Sequence, residues 1–309
     1  MKVLVTGATG FTGTWMMDHL AGLAGVQPTG LARHRPPEHR AGKIPYIIAD
    51  LLDRSALVEK ISAICPDAII HLGGLTRGTI GDMLQVNAAG TRNILDAGFA
   101  ANPDCRMLVI SSSAVYGYPG TAPIGEATPL RPASDYGISK MAQEAVTTMH
   151  GAINRTGSCI VRPFNITGPG QPDAFICGRI VRQVVEIEKQ KRSWIDLQEM
   201  TSARDFLDVR DLVKGYWALV SHQEFPQDCA GQIFNMGSGR SCPVAAIIGL
   251  IEEITGQHYL VRLPEQPPPI LIPSQQSDNA RILSVTGWRA AISLKETLRD
   301  MLAAARKVS

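Results

Sequence analysis

Within thirteen residues of its start the chain runs from a short apolar stretch, Lys2 to Thr6, into Gly7-Ala8-Thr9-Gly10-Phe11-Thr12-Gly13, three glycines at a spacing of three. Few sequences restrict a fold more. A strand ending on glycine can turn through a left-handed backbone. A helix that starts at once presents free N–H groups and the positive end of its dipole. Glycines at the turn let the backbone approach a diphosphate that side chains would hold away. Gly7, Thr9, Gly10, Phe11, Thr12 and Gly13 are therefore expected to cradle a dinucleotide. The competing reading is a tight strand–helix turn with no ligand.

The same alternation continues. Apolar runs at 26–32, 46–48, 68–72, 107–111 and 159–162 read as strands. Helical spacing of apolar residues marks 11–23, 54–64, 82–101 and 136–154. Strands alternating with helices predict βαβ units with right-handed crossovers. The fold class is thus α/β, a doubly wound parallel sheet of the Rossmann type, over residues 1–163. Residues 164–309 are expected to form mainly a smaller mixed substrate lobe, with some segments returning to the sheet. There, 164–171 reads as a Gly/Pro loop, 175–191, 244–255 and 294–307 as helices, 231–236 as a strand, and 265–274 as a proline-rich loop.

Composition excludes several classes. The chain has 309 residues, 45% apolar and 19% charged, with a net charge of +2. No overall field favours nucleic acid or a membrane surface, and no apolar run is long enough to span a bilayer. The six cysteines, at 65, 105, 159, 177, 229 and 242, show no C-x-x-C spacing, so no metal site is expected. A first strand entered directly, without an apolar leader, predicts a cytoplasmic protein.

The end of the second strand bears on the cofactor. A carboxylate there binds the ribose 2′-OH of NAD. Here Ala32 is followed by Arg33, His34 and Arg35, which suit a 2′-phosphate. NADP(H) is favoured, with NAD(H) as the alternative. Asp50-Leu51 follows the third strand and is a candidate for the adenine edge. Tyr136 and Lys140 lie one helical turn apart on one face. A tyrosine near pKa ~10 is a poor acid–base group unless a neighbouring ammonium and a bound nicotinamide ribose draw it down.

Taken together the chain resembles the extended short-chain dehydrogenase/reductase family. The likeness rests on T-G-x-x-G-x-x-G at Thr6 to Gly13, Asp50-Leu51, H-L-G-G at His71 to Gly74 and V-N-x-x-G-T at Val86 to Thr91. It continues through S-S-S-A-V-Y-G at Ser111 to Gly117, Y-x-x-x-K at Tyr136 to Lys140 and R-P-F-N at Arg162 to Asn165. It implies a catalytic set of Ser112, Tyr136 and Lys140, cofactor contacts that include Leu72, Gly73 and Asn87, and a nucleotide-sugar substrate. It also implies a homodimer formed through helices near 82–101 and 136–154.

Three chemistries share this scaffold: 4,6-dehydration, C4 epimerisation and reduction of a 4-keto sugar. The family's dehydratases carry an Asp-Glu pair directly after the catalytic hydroxyl. Ser113 and Ala114 stand there instead, so dehydration is not expected. Arg33 favours an exchangeable NADP(H), hence net reduction. Arg162 to Gln171 and Ser202 to Asp211 resemble segments of the branch that reduces GDP-4-keto-6-deoxy-D-mannose to GDP-D-rhamnose. That likeness implies substrate contacts from Ser112, Ser113, Asn165, Arg179 and Arg204. One stretch departs from it: where that branch carries R-P-x-E, this chain has Pro268-Pro269-Ile270-Leu271. An epimerase with tightly bound NAD and a non-enzymatic dinucleotide sensor are the rival readings.

Overall fold

The structure is a computed structural model and describes residues 1–36 and 44–308. Its first part alternates β1 (Lys2–Thr6), α1 (Phe11–Ala21), β2 (Gln27–Ala32), β3 (Tyr46–Ile48), α2 (Arg54–Ile64), β4 (Ala68–His71), α3 (Ile80–Leu84), α4 (Gly90–Ala101), β5 (Arg106–Ile110), α5 (Asp135–Asn154) and β6 (Ser158–Pro163). There follow β7 (Asn165–Thr167), α6 (Ile176–Glu188), β8 (Ile195–Asp196), β9 (Ala203–Asp208), α7 (Val209–Val220), β10 (Ile233–Met236), β11 (Ser241–Pro243), α8 (Val244–Thr255), β12 (Val261–Arg262), α9 (Ala280–Thr286) and α10 (Leu294–Val308).

Seven strands form one parallel sheet in the order β10-β6-β5-β4-β1-β2-β3. The alternation of side chains across the sheet explains why these runs are apolar throughout. Val3, Val5, Ile70, Leu108 and Val161 bury against Met16, Met17 and Leu20 of α1 and Leu212 and Tyr216 of α7. Leu4, Ile69, Met107 and Val109 point the other way, against Leu57, Ile61, Ile94 and Leu95 of α2 and α4. A parallel sheet covered on both faces leaves no polar side to its central strands. The strand order reverses between β1 and β4, which opens a crevice at their C-terminal ends.

Two expectations are corrected. The helix expected over 82–101 is α3 and α4 joined by a π-turn at Gln85–Ala89. The Thr91 hydroxyl donates to the Asn87 carbonyl at 2.5 Å within that turn. Segment 164–171 is not all loop. It contains β7, which pairs in parallel with β9, while β11 flanks β9 on its other side in antiparallel. The partner strand lies some forty residues on, so no local pattern announces it. The residues after Pro163 divide between two packings. Helices α6, α8 and α10 bury Ile180, Val184, Ile247, Ile251, Leu298 and Leu302 in a core of their own. Helix α7 and strand β10 return to the main sheet, as do Ile282 and Trp288 of the closing segment. Among the described residues no helix is long and apolar enough to cross a membrane.

Candidate active site

The glycine turn has the shape of a diphosphate cradle. Gly7 adopts φ +64°, and a Cβ there would lie 2.9 Å from the Cα of Gly73, so the loops after β1 and β4 touch back to back. A Cβ on Gly13 would lie 2.2 Å from the Gly7 carbonyl oxygen, which locks α1 against the turn. Gly10 caps α1 with its backbone, and neither a side-chain cap nor an acidic residue occupies the first turn. The N–H groups of that turn thus face a space that no side chain of the cap fills. Thr9, Phe11 and Thr12 line it and are partly buried. These residues fit a dinucleotide diphosphate.

The rim is built from four loops. Arg33 is exposed at the end of β2, its Nε 3.2 Å from His34 Nε2. Asp50 is exposed, and its carboxylate accepts the Leu52 N–H at 2.9 Å. Leu51 packs beneath Gly73 and Gly90. Leu72 is partly buried beside Gly73, whose N–H donates to the Thr6 hydroxyl at 3.0 Å. Asn87, expected beside the cofactor, is fully buried and committed to protein. Its Oδ1 accepts the Leu75 N–H at 2.7 Å, and Nδ2 donates to the Leu75 carbonyl and the Ser139 hydroxyl, both at 2.9 Å. It shapes the loop over the site.

Ser112, Tyr136 and Lys140 converge where β5 and β6 end. Ser112 lies just past β5, takes the Ala114 N–H at 3.2 Å and hydrogen-bonds the Tyr136 hydroxyl. Ser134 caps α5 through the Gly137 N–H at 3.1 Å, which sets Tyr136 in the first turn. Lys140 follows one turn later, its Nζ 5.9 Å from the Tyr136 ring centroid. Burial pushes Tyr136 up to about 12, and only the Ser112 hydroxyl opposes it. Burial likewise brings Lys140 down to about 7 against the pull of Glu144, so the lysine is only part-charged near neutrality. A phenol that stays protonated at neutral pH is set up to give a proton rather than take one.

Below these three residues lies a buried ion pair. Arg162 donates to Glu144 through Nε at 2.8 Å and Nη2 at 2.6 Å, and Ser111 donates to the same carboxylate at 2.5 Å. Arg162 Nη1 also donates to the Tyr116 hydroxyl at 2.8 Å, which in turn donates to Asn235 Oδ1 at 2.7 Å. The Arg162 of the R-P-F-N run therefore ties α5, β6 and β10 together, behind the site.

On the substrate side Ser113 is buried next to Gln275, which donates to the Gly117 carbonyl at 2.8 Å. Asn165 heads β7, partly buried. Arg179 stands in the first turns of α6, its Nε 3.3 Å from the Asp173 carbonyl. Arg204 lies on β9, and its Nη1 donates to the Ala203 carbonyl at 2.9 Å. Burial holds this guanidinium below the ordinary arginine range, with Glu199 opposing. A part-buried cation bonded to a neutral carbonyl is a ready anion contact. The apolar stretch of the proline-rich loop runs alongside, since Ala203 N donates to the Pro273 carbonyl at 2.8 Å. Ile270 and Leu271 of that loop are exposed.

Several structurally important residues are not legible as such in the sequence. The R-D-F-x-D-V-x-D run reads as a substrate signature, yet its aspartates are staples. Asp205 takes five donors: Ser238 N at 2.6 Å, Ser238 Oγ at 2.7 Å, Gly239 N at 3.0 Å, Ser277 N at 3.0 Å and Ser277 Oγ at 2.6 Å. Asp208 holds Arg210 and Thr297, and Asp211 holds the N–H groups of Ala291 and Ile292 at 2.7 Å. Gln143 touches Lys140 itself. Its one sequence signal is position, three residues further along the same helix face.

The model of the NAD dependent epimerase/dehydratase family matches residues 3–237. The chain is 31% identical over 312 residues to the GDP-6-deoxy-D-mannose reductase of Pseudomonas aeruginosa, covering 97% of this chain and 96% of that protein. It is 27% identical over 312 residues to a UDP-glucose 4-epimerase of Mycolicibacterium smegmatis, covering 96% of each. The solved structure of RMD from Pseudomonas aeruginosa complexed with NADPH superposes with a TM-score of 0.84 at 29% identity, covering 100% of this chain and 99% of that one.

Proposed function

The chain belongs to the NAD dependent epimerase/dehydratase family, the extended short-chain dehydrogenases/reductases, and on that premise we propose that it reduces the C4 ketone of a 4-keto-6-deoxy nucleotide sugar with NADP(H). GDP-4-keto-6-deoxy-D-mannose is the proposed substrate and GDP-D-rhamnose the product. The observation that carries the reading is the convergence of Ser112, Tyr136 and Lys140 in a chain whose first strand–helix turn has the shape of a diphosphate cradle. A GDP-6-deoxy-D-mannose reductase among the relatives supports the same chemistry.

Gly7, Gly10 and Gly13 would hold the diphosphate of the dinucleotide, Arg33 the 2′-phosphate and Asp50-Leu51 the adenine edge. When bound, the nicotinamide supplies the hydride. Tyr136 donates its proton to the C4 oxygen as that oxygen gains charge. Ser112 hydrogen-bonds the same oxygen and orients it. Lys140 offers a ribose hydroxyl the ammonium donor that its protein partners leave free. Arg204 meets the substrate diphosphate, with Arg179, Asn165 and Ser113 around the sugar and nucleotide. The test is to supply the keto sugar with NADPH and follow the cofactor's absorbance. Oxidation of NADPH in step with product is expected. Interconversion of sugars with no net cofactor change would instead make the chain an epimerase, like its 27% identical relative.

Two expected results follow from the cofactor and dimer assignments. Arg33→Asp replaces a 2′-phosphate partner with a carboxylate suited to a 2′-OH. The ratio of kcat/KM for NADPH over NADH is expected to fall by about tenfold or more, the worth of one charge-assisted hydrogen bond. An unchanged ratio would remove Arg33 from the cofactor site. The chain is also proposed to pair with a second copy through α3–α4 and α5. Leu84, Ile138, Met149 and Ile153 are exposed on these helices, Ile153 at 68%. Ile153→Asp is expected to convert a dimer to a monomer by light scattering, with the circular dichroism unchanged.

A further inference from the structure

We propose that Gln143 is a positioning residue for Lys140: its side-chain carbonyl fixes the lysine head, and a buried hydrogen-bond chain through Thr91 and His71 to the glycine turn fixes Gln143. The catalytic meaning of this rests on the reading of Lys140 given above.

Lys140 Nζ donates to the Ile110 carbonyl at 2.6 Å and to Gln143 Oε1 at 2.7 Å. An ammonium has three donors, so one remains for a ligand, and two neutral oxygens aim it. The nearby ionisable groups do not share this task. Glu144, on the next turn of α5, is taken up by Arg162 and Ser111. Tyr136 presents its ring. His71 on β4 is brought down to about 3, first by burial and then by Lys140, and is neutral.

Which way the amide of Gln143 faces follows from counting protons. The Thr91 hydroxyl gives its single proton to the Asn87 carbonyl at 2.5 Å. It must therefore accept at 2.8 Å from Gln143, which makes that atom Nε2 and turns Oε1 to the lysine. The same hydroxyl accepts from His71 Nε2 at 2.9 Å. His71 Nδ1 is then the acceptor for the Thr6 hydroxyl at 2.7 Å. Thr6 in turn accepts the Gly73 N–H at 3.0 Å. One arrangement of protons satisfies every one of these bonds. Thr6, His71, Thr91 and Gln143 are at most 1% exposed, so no water competes for them. Thr6 directly precedes Gly7, and Gly73 packs on that turn, so the cofactor cradle and the lysine head share one rigid network.

The consequence is measurable at Nζ itself. Burial already brings Lys140 down to about 7, with Glu144 alone opposing it. Removing the Gln143 oxygen takes away half of the protein acceptors of the ammonium and should lower it further. A carboxylate in the same place should raise it. The experiment follows Lys140 by NMR of isotope-labelled lysine side chains through a pH titration, the resonance being assigned by its loss in Lys140→Arg. Gln143→Met is expected to increase the acidity of Lys140 by about tenfold or more, the range of a charge-assisted hydrogen bond. Gln143→Glu is expected to shift it the opposite way. Thr91→Val keeps Gln143 but frees its amide to turn, and should move Lys140 in the same direction as Gln143→Met by a smaller amount. The alkaline limb of kcat/KM should follow each midpoint. Unchanged titration of Lys140 in the folded variants would overturn the proposal. If Lys140 moves as stated while Lys140→Met keeps full turnover, the positioning role stands and the catalytic reading of Lys140 fails instead.

Discussion

Tyr136→Phe is expected to lower kcat by a factor of about 10²–10⁴, the usual worth of a general acid in place. In the proposed reduction its hydroxyl supplies the proton to the C4 oxygen, and burial pushes it up to about 12 with Ser112 bonded to it. The fold suffers little. The ring remains, and only the hydrogen bond to Ser112 goes, at about 0.5–1.5 kcal/mol net. The melting temperature should therefore stay within a few degrees, and cofactor affinity should be largely retained, since the cradle at Gly7 to Gly13 is untouched. Turnover within a few-fold of the wild type would remove Tyr136 from the chemistry. A sensor that binds the dinucleotide without turning over would be just as indifferent to the substitution.

The largest loss of stability is expected from Asp205→Ala. This carboxylate is fully buried and accepts five hydrogen bonds from Ser238, Gly239 and Ser277. Removing it orphans several buried donors at once, each at about 1–3 kcal/mol when no replacement partner is found. Some relax towards other acceptors, so a net cost of about 3–5 kcal/mol is expected for breaking this buried hydrogen-bond network, large for a single substitution. Typical domains have only about 5–15 kcal/mol in total. Urea unfolding should show a much lower midpoint, and the loop 237–239 should lose its register with β9. Asp205→Asn keeps an acceptor oxygen but turns an NH₂ towards donors, and its midpoint should fall between wild type and Asp205→Ala. A midpoint shift worth under about 1 kcal/mol for Asp205→Ala would mean that these bonds are exchanged for water on unfolding at no net gain.

How far the sequence could be read depends on how local each signal is. The β1–α1 unit, α2 over Arg54–Ile64 and the parallel pairing around β1, β4 and β5 are legible because β1, β3, β4 and β5 are each followed directly by a helix. The pairing of the candidate catalytic residues Tyr136 and Lys140 is legible because they share a helix face. What is not legible is pairing at a distance. β7 becomes a strand through β9, α7 is drawn to the sheet by Leu212, Tyr216 and Leu219, and the π-turn at Gln85–Ala89 depends on Thr91 bonding back to Asn87. The same holds for roles. Asp205, Asp208 and Asp211 sit in a run that resembles a substrate-binding segment, yet they bind protein groups, most of them tens of residues away at 238–239, 277, 291–292 and 297. Arg33 stands at the surface, where no packing decides its role, so a binding measurement has to decide it.

The central claim, net reduction at C4, is tested most directly by isotope transfer. The enzyme would be supplied with GDP-4-keto-6-deoxy-D-mannose and NADPH deuterated on the transferring carbon. The expected result is one deuterium at C4 of the product sugar for each NADPH oxidised, abolished in Tyr136→Phe. Sugar interconversion with no deuterium gained and no NADPH consumed would contradict it.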